Sequence, residues 1–283
     1  MFNRNKIAIG TVQFGLDYGI SNFQGKTTPK EAEKILNYAQ NHGIKILDTA
    51  SAYGDSQQVL GMNNLTGFQI ISKFTSSNKE DLLNEFNSTI SKLGVHSIYG
   101  YLAHKSEHLV KNPEIWEALV DLKAQKKIQK IGISFNEISE VNNIKKHKIL
   151  PDIIQIPYNY FDNRFKEVAE SYKESGVEIH SRSSFLQGLF FLDKKHLESN
   201  FNEVQDMVIW LQNEHKERLS GFLLKYCLEK PFIDSVVIGV NNLEQLKQNI
   251  KGIDVNYDYD NYPFSKDIPE HILIPSQWNK KSN

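Results

Sequence analysis

Eight short apolar segments, each followed by a stretch with helical periodicity, constrain the fold of this chain more than any other feature. The segments begin near residues 7, 44, 69, 98, 128, 152, 177 and 235. Strands that alternate with helices favour a parallel sheet covered by those helices. This number of repeats in 283 residues predicts an α/β protein, a closed (β/α)8 TIM barrel, over a doubly wound sheet. No Gly-x-Gly-x-x-Gly motif follows a segment, which argues against a Rossmann arrangement.

The composition shows no break that would mark a linker between domains. With 40% hydrophobic residues, the chain is long enough to bury one large core. We therefore predict a single domain over residues 1–283, with an irregular tail from about residue 253 to 283 that packs on or beside the barrel. Ile272, Ile274 and Pro275 favour an anchored tail segment, and Trp278 could cover the barrel.

The charge balance excludes several classes of partner. The chain has 33 basic and 34 acidic residues and a net charge of −1, so no global field would attract nucleic acid or an anionic membrane. The N-terminus shows no signal-peptide segment, and no apolar run approaches membrane-spanning length. Cys227 is the only cysteine, which excludes an intramolecular disulfide. We expect a cytoplasmic protein with a small-molecule partner, and the oligomeric state is not predicted.

Polar residues end the first four apolar segments. These residues are Thr11, Asp48, Lys73 and His104, and Tyr53 follows Asp48 by five positions. In a TIM barrel such strand ends converge on the face that carries the active site. Asp48 alone fits a helix cap or a salt bridge as well as a catalytic role, but Lys73 offers it a cationic partner. A lysine beside a phenol lowers a pKa that starts near ~10, so this set can give a proton to a carbonyl oxygen as hydride reaches the carbon.

The same residues, in this order, resemble the aldo-keto reductase superfamily. Its signature is an Asp ending a strand, a Tyr five residues on, a Lys ending the next strand and a His ending the fourth. Further matches span nearly the whole chain: Ile9-Gly10-Thr11, Gly132-Ile133-Ser134, Gln155-Ile156-Pro157-Tyr158-Asn159, Gln187-Gly188-Leu189, Ile238-Gly239 and Gln245 to Asn249. The resemblance implies NAD(P)H-dependent reduction of an aldehyde or ketone to an alcohol. Tyr53 would be the general acid, Lys73 and Asp48 would tune it, and His104 would orient the carbonyl.

The resemblance also implies a set of cofactor contacts along an extended NAD(P)H. Ser134 and Gln155 would hold the nicotinamide carboxamide, residues 182–189 would approach the pyrophosphate, and residues 239–249 would cradle the adenosine. The predicted contacts are Thr11, Asp48, Ser134, Gln155, Arg182, Ser183, Gln187, Gly188, Gly239, Gln245 and Asn249.

Two departures from the family pattern bear on cofactor and substrate. Gln245 stands where NADPH-selective members commonly place an Arg on the 2′-phosphate. Lys247 and Asn249 lie close by in the sequence, and the resemblance still favours NADPH over NADH. Arg182 stands where a Tyr usually stacks on the nicotinamide. A guanidinium can stack on a ring, or it can bind an anionic group of the substrate or the cofactor.

The predicted substrate pocket combines catalytic residues with the loop after the first strand. It comprises Phe14, Tyr18, Tyr53, His104 and Arg182, although Phe14 and Tyr18 fit ordinary loop packing equally well. Further polar candidates are Gln13, Asp17, Asn22, Lys105 and Arg164. Such a lining favours a hydroxylated or anionic carbonyl, such as a sugar derivative, over a hydrophobic one.

Three other functions share features with this sequence. His104-Lys105-Ser106-Glu107-His108 matches a zinc-peptidase pattern, but that chemistry needs both histidines on one helix face, and the residues before His104 favour a strand. We predict no metal site. A non-enzymatic NADP(H)-binding regulatory or sensor subunit would have the same barrel, which also serves in potassium channels. A sugar-modifying member of the family would use the nicotinamide without net redox change.

Overall fold

The eight segments form the strands of one closed parallel barrel in the computed structural model, which describes residues 4–260, 263 and 267–281. The strands follow one another around the barrel in chain order, and the last pairs with the first. Their bounds are β1 Ile7–Gly10, β2 Ile46–Asp48, β3 Gln69–Phe74, β4 Ile98–Ala103, β5 Ile128–Ser134, β6 Ile153–Pro157, β7 Glu178–Arg182 and β8 Ser235–Gly239. This architecture confirms the predicted (β/α)8 TIM barrel.

The parallel register brings the carboxyl ends of the strands to one rim. Gly10 pairs with Asp48 across β1 and β2, and Lys73 pairs with Leu102 across β3 and β4. Apolar side chains fill the barrel below that rim: Ala8, Ile46, Ile71, Leu102, Ile153 and Val237. Because the interior is packed, the rim is the place where the barrel can receive a ligand.

Helices surround the barrel and bury their apolar faces against the strands. Their bounds are α1 Val12–Gly15, α2 Pro29–Asn41, α3 Ser56–Gly61, α4 Lys79–Leu93, α5 Glu107–Lys111, α6 Glu114–Ala124, α7 Ile138–Lys146, α8 Lys166–Glu174, α9 Lys194–Asn200, α10 Gln205–His215, α11 Leu219–Leu228, α12 Leu243–Gly252 and α13 Glu270–Leu273. Thr28 caps α2, because its side chain accepts a hydrogen bond from the backbone N–H of Glu31. None of the described helices has the length and apolar character needed to cross a membrane.

Local turns set the bounds of two helices. Helix α8 begins only at Lys166, because the side-chain oxygen of Asn159 accepts the backbone N–H groups of Phe161 and Asp162 and stabilises a turn before it. The 3₁₀ turn Lys216–Arg218 separates α10 from α11.

The tail is more ordered than predicted. It includes α13 and the 3₁₀ segment Pro275–Lys281, and Ile272, Leu273 and Ile274 are buried. The Trp278 indole donates to the backbone oxygen of Ile272 and packs edge-on against Phe201. Helical structure therefore replaces the expected irregular chain in this segment, and the burial of Ile272 and Ile274 agrees with the anchoring predicted for it. The assignment of all 283 residues to one domain stays a prediction.

Candidate active site

A cavity of about 730 Å³ lies at the rim formed by the carboxyl ends of the strands. The predicted residues that line it are Thr11, Tyr18, Asp48, Tyr53, His104, Ser134, Gln155, Arg182, Ser183, Gln187, Gly188, Gly239, Gln245 and Asn249. Lys73 is buried beside Asp48 and does not itself line the cavity.

The assignment of Phe14 to the pocket wall is corrected by the structure. Its ring is completely buried in the hydrophobic core and does not line the cavity, because the short helix α1 turns it inward. Of the further polar candidates, Gln13 and Asn22 line the cavity, whereas Asp17, Lys105 and Arg164 do not.

A buried ion pair lies below the floor of the cavity. The ammonium Nζ of Lys73 is 2.6 Å from Oδ1 of Asp48, and both side chains are almost fully buried. The amide Nε2 of Gln155 donates to Oδ2 of Asp48 at 2.7 Å, so both oxygens of the carboxylate are engaged. Burial alone would lower the pKa of Lys73, but attraction to Asp48 and then to Tyr53 outweighs it, and the pKa is raised. Lys73 therefore stays a cation under the phenol of Tyr53.

The loop after β2 holds Tyr53 over that cation. Lys73 Nζ lies 5.2 Å from the centroid of the Tyr53 ring. The loop passes so close to α1 that a Cβ on Gly15 would lie 1.8 Å from the backbone oxygen of Tyr53. Gly54 adopts a left-handed φ of +56° at the same contact, a conformation that favours glycine. Two glycines thus fix the position of the phenol.

His104 and Tyr18 complete the polar group around Tyr53. The rings of Tyr53 and His104 meet edge to face, with centroids 6.0 Å apart. Burial, followed by the charges of Lys73 and Arg182, lowers the pKa of His104 to about 4, so its imidazole is neutral at neutral pH. Burial, followed by repulsion from Tyr53, raises the pKa of Tyr18 to about 12, so its phenol is also neutral. Both residues can therefore donate a hydrogen bond.

The zinc-peptidase pattern does not fall on one helix. His104 precedes α5, which begins at Glu107, and the ring Nδ1 of His108 lies 3.1 Å from the backbone oxygen of Ser76. Among residues 4–260, 263 and 267–281, no group of three or more His, Cys, Asp or Glu side chains is placed to hold a metal ion.

Several buried polar atoms of residues that line the cavity have no hydrogen-bond partner, and the amide oxygen of Gln155 is one of them. Oε1 of Gln155 is fully buried without a hydrogen bond, although Nε2 of the same side chain is bound to Asp48. A buried unpaired acceptor is costly, and a ligand amide would satisfy it. Ser134, paired with Gln155 across β5 and β6, lines the cavity next to it. These two residues fit the carboxamide of a nicotinamide.

Two loops join above the end of β8. The backbone N–H of Ile20, in the loop after β1, donates to the backbone oxygen of Gln187, in the loop after β7, at 2.9 Å. Gly188 has a left-handed φ of +95°, a conformation that favours glycine, and a Cβ there would lie 2.1 Å from the Ser21 hydroxyl. We call this junction the loop bridge. Since β8 lies between β7 and β1 in the barrel, the loop bridge spans the end of β8, and Gly19, Ser21, Gln187 and Gly188 of its two loops line the cavity.

Arg182 reaches from the end of β7 over β6 to the end of β5. One terminal nitrogen of its guanidinium donates to the backbone oxygen of Phe135 at 2.9 Å and to Oδ1 of Asn136 at 2.6 Å. The other donates to the Ser183 hydroxyl at 3.3 Å. The side chain thus points toward the His104 side of the rim and away from β8.

Several cavity residues were missed by the sequence analysis. They include Lys216, Glu217 and Leu273. Lys216 and Glu217 begin the turn between α10 and α11, where the sequence pattern shows no Gly or Pro to mark a break. Lys247, expected near the adenosine, pairs instead with Glu244 and does not line the cavity. Only the apolar pattern around residue 272 signalled that the tail is anchored.

Comparison with known proteins places the chain in a family. The family model described as "Aldo/keto reductase family" matches residues 6–266. Aldo-keto reductase YhdN of Bacillus subtilis (strain 168) is 24% identical over 203 residues, which span 65% of this chain and 60% of that protein. The match with YhdN therefore spans less than two-thirds of that relative. The uncharacterized oxidoreductase YrpG of the same organism is 21% identical over 300 residues, covering 90% of this chain and 89% of the relative.

A solved structure supports the fold. A protein described as "the putative aldo-keto reductase from Pseudomona aeruginosa" superposes with a TM-score of 0.67 at 18% identity, covering 87% of this chain and 88% of that one. At this identity the likeness concerns the fold alone. With the family model extending from β1 to the tail, the protein belongs to the aldo/keto reductase family.

Proposed function

We propose that this protein is an NAD(P)H-dependent reductase that converts an aldehyde or a ketone to an alcohol, with Tyr53 as the general acid. The observation that carries the proposal is the Tyr53 phenol held against the buried Lys73–Asp48 pair, with a neutral His104 beside it. These groups come from four different parts of the chain, which meet at the rim of the barrel beside the cavity.

Each residue has a distinct part in the proposed proton transfer. The cation of Lys73 stabilises negative charge on the Tyr53 oxygen, so the phenol can release its proton to a carbonyl oxygen. Asp48 keeps Lys73 charged and in place. The neutral imidazole of His104 can donate to the same carbonyl oxygen and orient it. A bound nicotinamide dinucleotide would supply the hydride.

The cavity offers a place for such a cofactor along its length. Gln155 and Ser134 would hold the carboxamide, and Ser183, Gln187 and Gly188 would face the pyrophosphate under the loop bridge. Gln245 and Asn249 line the end near α12. The side-chain oxygen of Gln245 already accepts the backbone N–H of Asn241. Lys216, in the turn before α11, also lines the cavity and carries a positive charge.

We propose NADPH as the preferred cofactor over NADH.

Replacement of Tyr53 by Phe tests the proposal directly. The variant removes the proton and keeps the ring, so we expect carbonyl reduction to fall by about 10²- to 10⁴-fold while cofactor affinity is retained. Tyr38→Phe, on α2 outside the cavity, is the matched control. Steady-state NADPH and NADH oxidation would be measured with a panel of carbonyls, and binding by fluorescence titration.

Three outcomes would contradict this proposal. Retained turnover by the Tyr53 variant would exclude Tyr53 as the acid. Tight nucleotide binding by the native protein without turnover of any carbonyl would favour a regulatory or sensor subunit, and conversion of a sugar without net NADPH consumption would favour the non-redox alternative.

A further inference from the structure

Arg182 is a cavity cation without an acidic partner. Its three hydrogen bonds go to neutral oxygen atoms, those of Phe135, Asn136 and Ser183. Within the described parts of the chain, no carboxylate lies within ion-pair distance of its guanidinium. A half-buried charge without a counter-ion is costly, and the site is therefore better suited to an anion than to a neutral group.

The acids that line the cavity do not oppose an anion at this position. They are Asp48 and Glu217. Both oxygens of Asp48 are engaged, by Lys73 and by Gln155, so its charge is compensated locally. Glu217 lies in the turn between α10 and α11, and this turn contacts α12.

The direction of Arg182 distinguishes substrate from cofactor. Its guanidinium is anchored at the end of β5, which neighbours β4 and thus His104. The residues proposed to face the pyrophosphate, Ser183, Gln187 and Gly188, follow Arg182 in the chain. They belong to the loop that meets residues 20 and 21 at the loop bridge. Arg182 also lowers the pKa of His104, after burial and Lys73, and it acts on Tyr18. It therefore lies beside the groups that face the carbonyl.

We propose that Arg182, with the hydroxyl of Tyr18, binds a carboxylate or phosphate carried by the substrate close to its reacting carbonyl. This inference rests on the proposed carbonyl reduction. It narrows the substrate class to oxo acids or phosphorylated carbonyl compounds. The planar guanidinium suits either anion because both accept paired hydrogen bonds from it.

Matched pairs of carbonyl compounds provide the test. Pyruvate and pyruvamide differ in one charged group, as do glyceraldehyde 3-phosphate and glyceraldehyde, so the two pairs distinguish carboxylate from phosphate. We expect the native protein to show a kcat/KM about 10- to 100-fold higher for the anionic member of one pair, the range for a hydrogen bond to a charged group. Arg182→Gln should bring that ratio close to one. Lys105→Gln removes an exposed charge next to His104, outside the cavity, and should keep the ratio.

The outcomes separate this inference from the proposed function. If the neutral members are reduced as well as the anionic ones, the inference is wrong and carbonyl reduction stands. If no carbonyl is reduced, both fail. If Arg182→Gln weakens NADPH binding in a fluorescence titration but leaves the ratio unchanged, Arg182 serves the cofactor and the inference is overturned.

A measurement on the native protein removes any dependence on a folded variant. Oxamate and oxamide have similar shapes, and only oxamate carries a carboxylate. Competitive inhibition should be about 10- to 100-fold stronger for oxamate if Arg182 receives a carboxylate. Equal inhibition, together with equal rates for the phosphate pair, would overturn the inference.

Discussion

His104 shows how the surroundings of a residue determine its protonation state. Burial, then Lys73, then Arg182 lower its pKa to about 4, from an ordinary value of 6.5. Because the folded pKa is the lower one, the neutral ring contributes stability that is complete above pH 6.5 and is lost as the pH falls toward 4. The group formed by Asp48, Tyr53, Lys73 and His104 thus combines one permanent cation, Lys73, with one neutral imidazole.

We predict that His104 does not titrate near neutral pH. Nuclear magnetic resonance of the ring should give a midpoint close to pH 4, and Arg182→Gln should raise the midpoint because it removes a neighbouring cation. Lys105→Gln provides the control, since that charge is the last and smallest of the influences on His104. A midpoint between 6 and 7 in the native protein, of the kind an unperturbed histidine gives, would contradict the described environment.

At the residue scale, the sequence predicts which residues belong to the site better than it predicts where their side chains point. Asp48, Lys73 and His104 could be found because each follows an apolar strand, and a barrel brings strand ends together. Phe14 was misplaced because nothing in the sequence marks α1, a helix of only four residues, which turns the ring into the core. The unpaired oxygen of Gln155 depends on where Asp48 binds the other end of the amide. Such contacts require the three-dimensional fold.

At the element scale, the contact between α1 and the loop after β2 determines where Tyr53 lies. Gly15 and Gly54 bring two backbone segments together, and the backbone oxygen of Gly15 lies 2.5 Å from the Cβ position of Gly54. The sequence contains both glycines but does not show that they meet. The break at Lys216 is a second case, because a lysine with a φ of 47° interrupts a continuous helical pattern that has no glycine at that position.

Gly15→Ala should affect both stability and catalysis. The added Cβ would overlap the backbone of Tyr53, so we expect a loss of roughly 1–3 kcal/mol in the free energy of unfolding and a lower kcat as the phenol is displaced. Gly94→Ala, at the end of α4, is the control for kcat, because no atom lies within 4 Å of its Cβ position. Its left-handed φ of +65° makes that variant lose stability without any contact with Tyr53. Thermal unfolding and steady-state kinetics would be compared. An unchanged kcat in the Gly15 variant would exclude a positioning role for this contact.

At the scale of the whole molecule, a polar cluster lies at the opposite end of the barrel from the rim. Glu178, the first residue of β7, accepts hydrogen bonds from Tyr99 and Lys130 and contacts Nε2 of His180. Burial would raise the pKa of Glu178, but His180, Lys130 and Tyr99 outweigh it and lower the pKa to about 2. The barrel interior therefore contains an apolar layer and, at the end opposite the rim, a charged cluster around Glu178. The sequence pattern of the strands did not predict this cluster.

Glu178 should contribute to resistance against acid. Its folded pKa lies below the ordinary value of 4.5, so its stabilisation is present above pH 4.5 and is lost as the pH falls toward 2. We expect Glu178→Gln to cost roughly 1–3 kcal/mol at pH 7 and much less near pH 2. Glu107→Gln, which removes an exposed pair with Lys111, is the control. Urea unfolding across this pH range would measure the difference, and a cost independent of pH would refute the ionic contribution.

The loop bridge has a consequence for the exchange of ligands. The contacts of Ile20 with Gln187 and of Ser21 with Gly188 join two loops whose residues line the cavity. A ligand that occupies the cavity from Tyr53 to α12 would contact this junction. Its rates of uptake and release would then depend on how readily the two loops separate. Sequence changes in either loop can alter how long a ligand stays bound while every catalytic residue is kept.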